Sequence, residues 1–178
     1  ALAPRYQPAN PLDKTTVMGA IVDKAQLETV MGYIASGQEQ GASLHYGGQQ
    51  VLQETGGFYV QPTIFTGVRP EMRIAQEEIF GPVLSVLSFT DAADVVRQAN
   101  HSVYGLQAAV WSRDINKALG VARALRAGTV HVNQYDEDDI TVPFGGYKQS
   151  GVGRDKSLHA FDKYTEMKTT WIRLDSPV

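Results

Sequence analysis

Cysteine is missing from all 178 residues, so disulfides, thiolate metal sites and a cysteine nucleophile are excluded within them. Histidine is sparse. His45, His101, His131 and His159 are scattered without metal-ligand spacing, which reads as structural or exposed residues and not as a zinc site. Charge of one sign is also scarce: the net charge is -3, with acidic and basic residues mixed along most of the chain. The basic stripe of a nucleic-acid binder is therefore lacking. No apolar run approaches the roughly 18 residues that suggest a membrane span. The chain opens Ala1-Leu2-Ala3-Pro4-Arg5 with neither an initiator Met nor a signal-peptide pattern, as expected of a fragment or processed product of a cytosolic protein.

What is present suits a packed α/β domain. At 43% hydrophobic residues the chain can bury one sizeable core, expected over residues 1–164, with 165–178 as a projecting tail. A helix is expected over 23–40, capped by Asp23 with Gln26 at the reciprocal capping-box position. Leu27, Val30, Met31, Ile34 and Ala35 form its apolar face, and Gly41 is placed to close it. A short strand at 44–46, a Gly47-Gly48 turn and a strand near 63–65 follow. Pro62 argues against a central position for that strand. Residues 83–89 read as a strand buried on both faces. Thr90 then caps a helix carrying Val95, Val96 and Ala99.

A strand at 106–111 leads to a helix capped by Ser112, with Ile115, Ala118, Leu119, Ala122 and Leu125 on one face and Gly128 as its stop. Residues 130–133 form the next strand. Strands separated by helices of about a dozen residues imply a mainly parallel sheet in a three-layer α/β/α arrangement. Functional groups in such sheets gather where strands end. The segment 165–174 differs, being rich in β-formers and partly alternating. As a strand with Trp171 and Ile172 it would leave a sticky edge. It is expected to project and pair with another part of a larger protein or with another subunit, or else to edge this domain's own sheet.

Two segments carry candidate chemistry. In Glu77-Glu78-Ile79-Phe80-Gly81-Pro82-Val83 a carboxylate stands beside an aromatic residue, a pairing suited to ribose hydroxyls and a flat base. Such a pair in a turn is more often a solvated charge and a core anchor. The second segment begins Asn133-Gln134-Tyr135-Asp136-Glu137-Asp138-Asp139, and continues from Pro143-Phe144-Gly145-Gly146-Tyr147-Lys148 to Gly151, Gly153 and Arg154. Its glycines and lysine raise the question of a phosphate cradle. It lacks the G-x-x-x-x-G-K-[ST] order and a following apolar helix.

Taken in order, these motifs are far more specific. Ala99-Asn100-His101-Ser102-Val103-Tyr104-Gly105-Leu106 and Ala127-Gly128-Thr129-Val130-His131-Val132-Asn133 lie between them. The series resembles the aldehyde dehydrogenase superfamily, specifically the C-terminal part of its catalytic domain. The likeness runs from Pro11-Leu12-Asp13 and Met18-Gly19 to Tyr164-Thr165-Glu166-Met167-Lys168. Asp139-Ile140-Thr141-Val142-Pro143 and Gly153-Arg154-Asp155-Lys156-Ser157-Leu158-His159-Ala160 resemble the bacterial γ-glutamyl-γ-aminobutyraldehyde dehydrogenases of putrescine breakdown.

The resemblance implies an NAD(P)-dependent oxidation of an aldehyde to a carboxylic acid through a cysteine thioester. The nucleophile and general-base glutamate of the family lie upstream of the matched region. No catalytic residue can be carried onto this chain, which should be inactive alone and bind NAD or NADP weakly at best. Glu78 matches the glutamate that holds the nicotinamide-side ribose, and Phe80 the phenylalanine beside the nicotinamide ring. Phe144 matches a wall of the substrate tunnel, with Asn133, Asp136 and Asp138 at or near it. An acidic loop there would favour a cationic aminoaldehyde or its γ-glutamyl derivative over a carboxylate. The other reading is a merely solvated loop. Arg154 and Glu166 match a structural ion pair that ties the glycine-rich loop to the terminal strand and neighbouring subunit. The implied assembly is a homo-oligomer, dimer or tetramer, through 165–174, with no nucleic-acid, membrane or metal partner. Two other classes remain open: a non-catalytic module that adds its terminal strand to a partner's sheet, and a stand-alone nucleotide-binding module using Glu78 and Phe80.

Overall fold

The Asp23 carboxylate accepts the Gln26 N–H at 2.7 Å and so starts helix α1, Lys24–Glu39. The helix closes as expected. Gly41 takes φ +89°, the Gly41 N–H donates to the Gln38 carbonyl at 3.0 Å and the Ala42 N–H to that of Gly37 at 2.9 Å. This is the double bond of a glycine-terminated helix. The buried face is Leu27, Val30, Tyr33, Ile34 and Gly37, rotated from the expected stripe, with Ala35 exposed and Met31 half-buried. The cause is Gly37. A Cβ there would stand 3.0 Å from Ile74 Cδ1 and 3.1 Å from Phe65 Cζ, so its bare backbone lets those side chains press onto the helix.

The computed structural model describes residues 2–135 and 139–175, in two compact units, 1–94 and 95–178. In the first unit, β1 (Ser43–Tyr46) runs antiparallel to β4 (Thr63–Thr66), and β4 runs parallel to β5 (Val83–Ser85). Between them in sequence, β2 (Gln50–Val51) and β3 (Tyr59–Val60) form an antiparallel pair. Contrary to the argument from Pro62, β4 is the central strand of its sheet. Pro62 precedes the ladder and takes no donor from it; the first bond is Thr63 N–H to the Pro82 carbonyl at 2.8 Å. Short helix α2 (Arg73–Gln76) packs against α1. Val30, Ile34, Val60, Phe65, Met72 and Ile74 form the centre of the core. Strand β5 is shorter than expected and is not buried on both faces, since Leu84 is 57% exposed.

The unit boundary falls within α3 (Ala92–Asn100). Asp91, one residue after the expected Thr90, accepts the Asp94 N–H at 2.8 Å, and the Asp94 carboxylate accepts the Thr90 N–H at 3.0 Å. In the second unit β7 (Gln107–Val110) and β8 (Thr129–Val132) pair in parallel over four residues. They are joined through α4 (Ile115–Ala124), which is capped by Asp114 and not by Ser112. The Asp114 carboxylate reaches the N–H groups of Asn116 and Lys117, while the Ser112 hydroxyl accepts the Asp114 N–H. On α4 only Ala118 is buried. β6 (Tyr104–Gly105) and β9 (Tyr147–Lys148) form an antiparallel pair. The architecture is α/β, as expected, but its parallel pairs β4–β5 and β7–β8 belong to different sheets.

The projecting segment 165–174 carries no strand ladder among the described residues. Trp171 is 94% exposed, with Met167, Ile172 and Leu174 also open. A strand exists through its partner's hydrogen bonds, and no described residue supplies them to this segment. Among the described residues no helix is long and apolar enough to cross a membrane.

Candidate functional site

In the first unit the motif from Glu77 to Gly81 alternates between anchored and presented residues. Glu77 accepts the Tyr33 hydroxyl at 2.7 Å and Arg73 Nε–H at 2.8 Å, both on Oε2. Ile79 is buried in the core. A Cβ on Gly81 would fall 2.5 Å from Val30 Cγ2, so only glycine lets the turn lie against α1. Between these anchors, Glu78 and Phe80 face outward. Phe80 holds φ +54° and leaves its ring 75% exposed. A phenylalanine in the left-handed region costs about 1–3 kcal/mol and persists only where its surroundings impose it. The imposing group is Gln26, whose Nε2 donates to the Ile79 carbonyl at 3.1 Å and the Phe80 carbonyl at 3.0 Å. The Gln26 side chain therefore does not make the reciprocal capping bond expected of it among the described residues; its carboxamide clamps the turn instead. A carboxylate and a flat apolar ring, two residues apart on a rigid turn and both open to solvent, fit a ribose diol and an aromatic ring system.

The Tyr33 hydroxyl and the Arg73 guanidinium hold the Glu77 carboxyl below its ordinary 4.5. A lowered carboxylate value contributes stability above the ordinary value that is lost as pH falls through the lowered one. The wild-type protein should therefore exceed a Glu77→Gln variant in stability near pH 6, and the margin should shrink toward about pH 3. Denaturant midpoints of both proteins along that series check the sign; a margin that widens in acid would contradict it.

In the second unit Asn133 closes β8 at φ +57°. Its Oδ1 accepts the Ser112 N–H at 2.9 Å and its Nδ2 donates to the Ser112 carbonyl at 3.1 Å. The side chain therefore continues the β7–β8 ladder by one rung. Phe144, half-buried, exchanges both backbone bonds with Asp155 at 2.9 and 2.7 Å, and Lys156 Nζ lies 5.5 Å from its ring centroid. Asp136 and Asp138 lie outside the described residues. Their neighbour Asp139 accepts the Thr141 hydroxyl and N–H, each at 2.7 Å, which holds its carboxyl below the ordinary range. Lys148 takes φ +54° and donates to the Asn100 and Ser102 carbonyls at 2.9 Å each. With its ammonium so engaged, it serves the loop and not a phosphate.

The ion pair between Arg154 and Glu166 is not formed within this chain. Arg154 Nη1 donates to the Gly146 and Gly153 carbonyls at 3.1 and 2.6 Å, and the guanidinium lies 5.3 Å from the Tyr147 ring centroid. Glu166 stands exposed on the unpaired segment. Local carbonyls satisfy the arginine where the acid was expected. Sequence reasoning also missed Tyr33 and Arg73, although the i,i+4 spacing of Arg73 and Glu77 was a visible sign.

Comparison with known proteins agrees with these motifs. The profile of the aldehyde dehydrogenase family matches residues 2–170. The NADP/NAD-dependent aldehyde dehydrogenase PuuC of Escherichia coli is 49% identical over 98% of this chain and 34% of its own length. An indole-3-acetaldehyde dehydrogenase of P. syringae, solved with NAD+, superposes with a TM-score of 0.92 at 63% identity, covering 96% of this chain and 34% of that one. The γ-glutamyl-γ-aminobutyraldehyde dehydrogenase of Burkholderia cenocepacia gives 0.91 at 59% identity, over 97% and 35%. The chain spans about a third of the length of these relatives.

Proposed function

The chain belongs to the aldehyde dehydrogenase family, and on that premise we propose that it forms the cofactor- and substrate-facing part of a cytosolic NAD(P)-dependent enzyme. That enzyme oxidises an aminoaldehyde or γ-glutamyl-aminoaldehyde to the carboxylic acid. The observation that carries the cofactor side is the outward pair Glu78 and Phe80 on a turn anchored at both ends. The Glu78 carboxylate accepts hydroxyls of the nicotinamide-side ribose, and the Phe80 ring packs beside the nicotinamide. When bound, NAD(P) supplies the hydride acceptor. The cysteine that carries the thioester is not among these 178 residues.

On the substrate side, Phe144 forms a wall of the tunnel, and Asn133 fixes the strand end from which the acidic loop departs. Asp136 and Asp138 lend that loop negative charge, and the ionised Asp139 extends it. The segment 165–174 pairs with a neighbouring copy, supported by its open backbone and exposed Trp171 and Ile172. Docking of that segment is what brings Glu166 to Arg154. A second substrate reading, indole-3-acetaldehyde, is favoured by the 63% identity to the enzyme of that name.

Steady-state kinetics of the full-length enzyme distinguish the two. kcat/KM should be highest for the γ-glutamyl or free aminoaldehyde, and Asp138→Ala should raise KM for the free aminoaldehyde about fivefold, the ~1 kcal/mol of an exposed charge pair. Simple alkanals should be unaffected. Equal effects on both would remove the acidic-loop argument, and a preference for indole-3-acetaldehyde would install the second reading.

A further inference from the structure

Glu77 and Glu78 are adjacent, exposed carboxylates, yet among the described residues Glu77 has a partner of opposite charge and Glu78 has none. Glu77 is bound on a single oxygen by Tyr33 and Arg73, and the Arg73 guanidinium lies 4.2 Å from the Tyr33 ring centroid. These contacts close a three-membered cluster. Tyr33 comes from the buried face of α1, Arg73 opens α2, and Glu77 ends it. The phenol is rigid because its ring is buried. The guanidinium is held twice, by stacking on the Tyr33 ring and by its bond to the Glu77 carboxylate.

Immediately after Glu77 the chain is extended, with Glu77 at φ -111°, ψ 151°, and two residues later Ile79 enters the core. Glu78 is therefore suspended between a fixed side chain and a buried one. We propose that Tyr33 and Arg73 are positioning residues for cofactor binding: by fixing Glu77 they aim the Glu78 carboxylate at the ribose. This rests on the reading that Glu78 holds that ribose. The same contacts also bind α1 to α2, so a purely structural clamp is the alternative to be separated. Cofactor geometry is sensitive to small displacements of the holding group, whereas a clamp affects the whole fold.

The test uses the full-length enzyme with NAD+ alone, titrated to obtain its dissociation constant, beside thermal melts and aldehyde KM at saturating NAD+. Tyr33→Phe removes the hydroxyl and keeps the buried ring. It should weaken NAD+ about fivefold to tenfold, less than the full loss of a hydrogen bond to a charged group, with aldehyde KM held and Tm lowered only slightly by the lost Glu77 bond. Arg73→Lys keeps the charge but loses the stacked, directed Nε–H, and should weaken NAD+ in the same sense; it serves if Tyr33→Phe does not fold. Because both act through Glu78, the double variant Tyr33→Phe/Glu78→Gln should be no weaker than Glu78→Gln alone. Additive losses, or unchanged NAD+ affinity in Tyr33→Phe and Arg73→Lys while Glu78→Gln is weakened, would overturn the positioning role alone. An unchanged affinity in Glu78→Gln would overturn the cofactor reading and this inference with it.

Discussion

The 178-residue chain by itself is expected to show no aldehyde-dependent reduction of NAD. It has no thiol to attack a carbonyl carbon, and its carboxylates are placed for other work. Glu77 is held by Tyr33 and Arg73, while Glu78 and Glu166 stand exposed to solvent. Loss of the nucleophile alone lowers turnover by about 10⁶-fold in a well-studied hydrolase. An assay at equal molarity with the full-length enzyme checks this. Turnover above about a ten-thousandth of the full-length rate would show a bond-making group within these residues.

Gly128→Ala should be the most damaging glycine-to-alanine change in the second unit. The new Cβ would stand 1.7 Å from the Gly145 carbonyl oxygen and 2.8 Å from its carbon, so backbone must move. The opposing loop has little room to retreat. A Cβ on Gly145 would itself lie 2.6 Å from the Gly153 carbonyl, and one on Gly146 2.5 Å from Ser150 Cβ. Phe144 is tied to Asp155 through both backbone groups. Overpacking typically costs 1–3 kcal/mol, and with backbone on both sides the loss should be about 3 kcal/mol or more. The loop that carries Phe144 would shift, so aldehyde KM should rise as well. Gly120→Ala, inside α4 with nothing within 4 Å of its added Cβ, should instead stabilise by about 0.5–1 kcal/mol. Denaturant unfolding of the two variants should therefore move in opposite directions. Wild-type stability in Gly128→Ala would contradict the packing described.

The parts legible in the sequence were those decided by local chemistry. Asp23 and Gly41 end α1 as read, because caps depend on a few neighbouring residues. The rotation of its buried face toward Tyr33 and Gly37 was not legible, since it answers to Phe65 and Ile74 from distant segments. The centrality of β4 was misread because Pro62, which precedes the strand, was taken to weaken its ladder, whereas it stands outside that ladder and withholds no bond from it. The outward placement of Glu78 and Phe80 follows the motif, but the device that imposes it, Gln26 reaching across to two carbonyls, spans more than 50 residues. The segment 165–174 reads as a strand from composition, yet its pairing partner is not among the described residues.

The claim at the centre is that Glu78, presented on an anchored turn, holds the cofactor ribose. Its most direct test is the NAD+ dissociation constant of full-length Glu78→Gln, an isosteric change that removes the charge and one acceptor oxygen. A weakening of about tenfold or more is expected, the size of a charge-assisted hydrogen bond, with aldehyde KM at saturating NAD+ unchanged. An NAD+ affinity equal to wild type would contradict it.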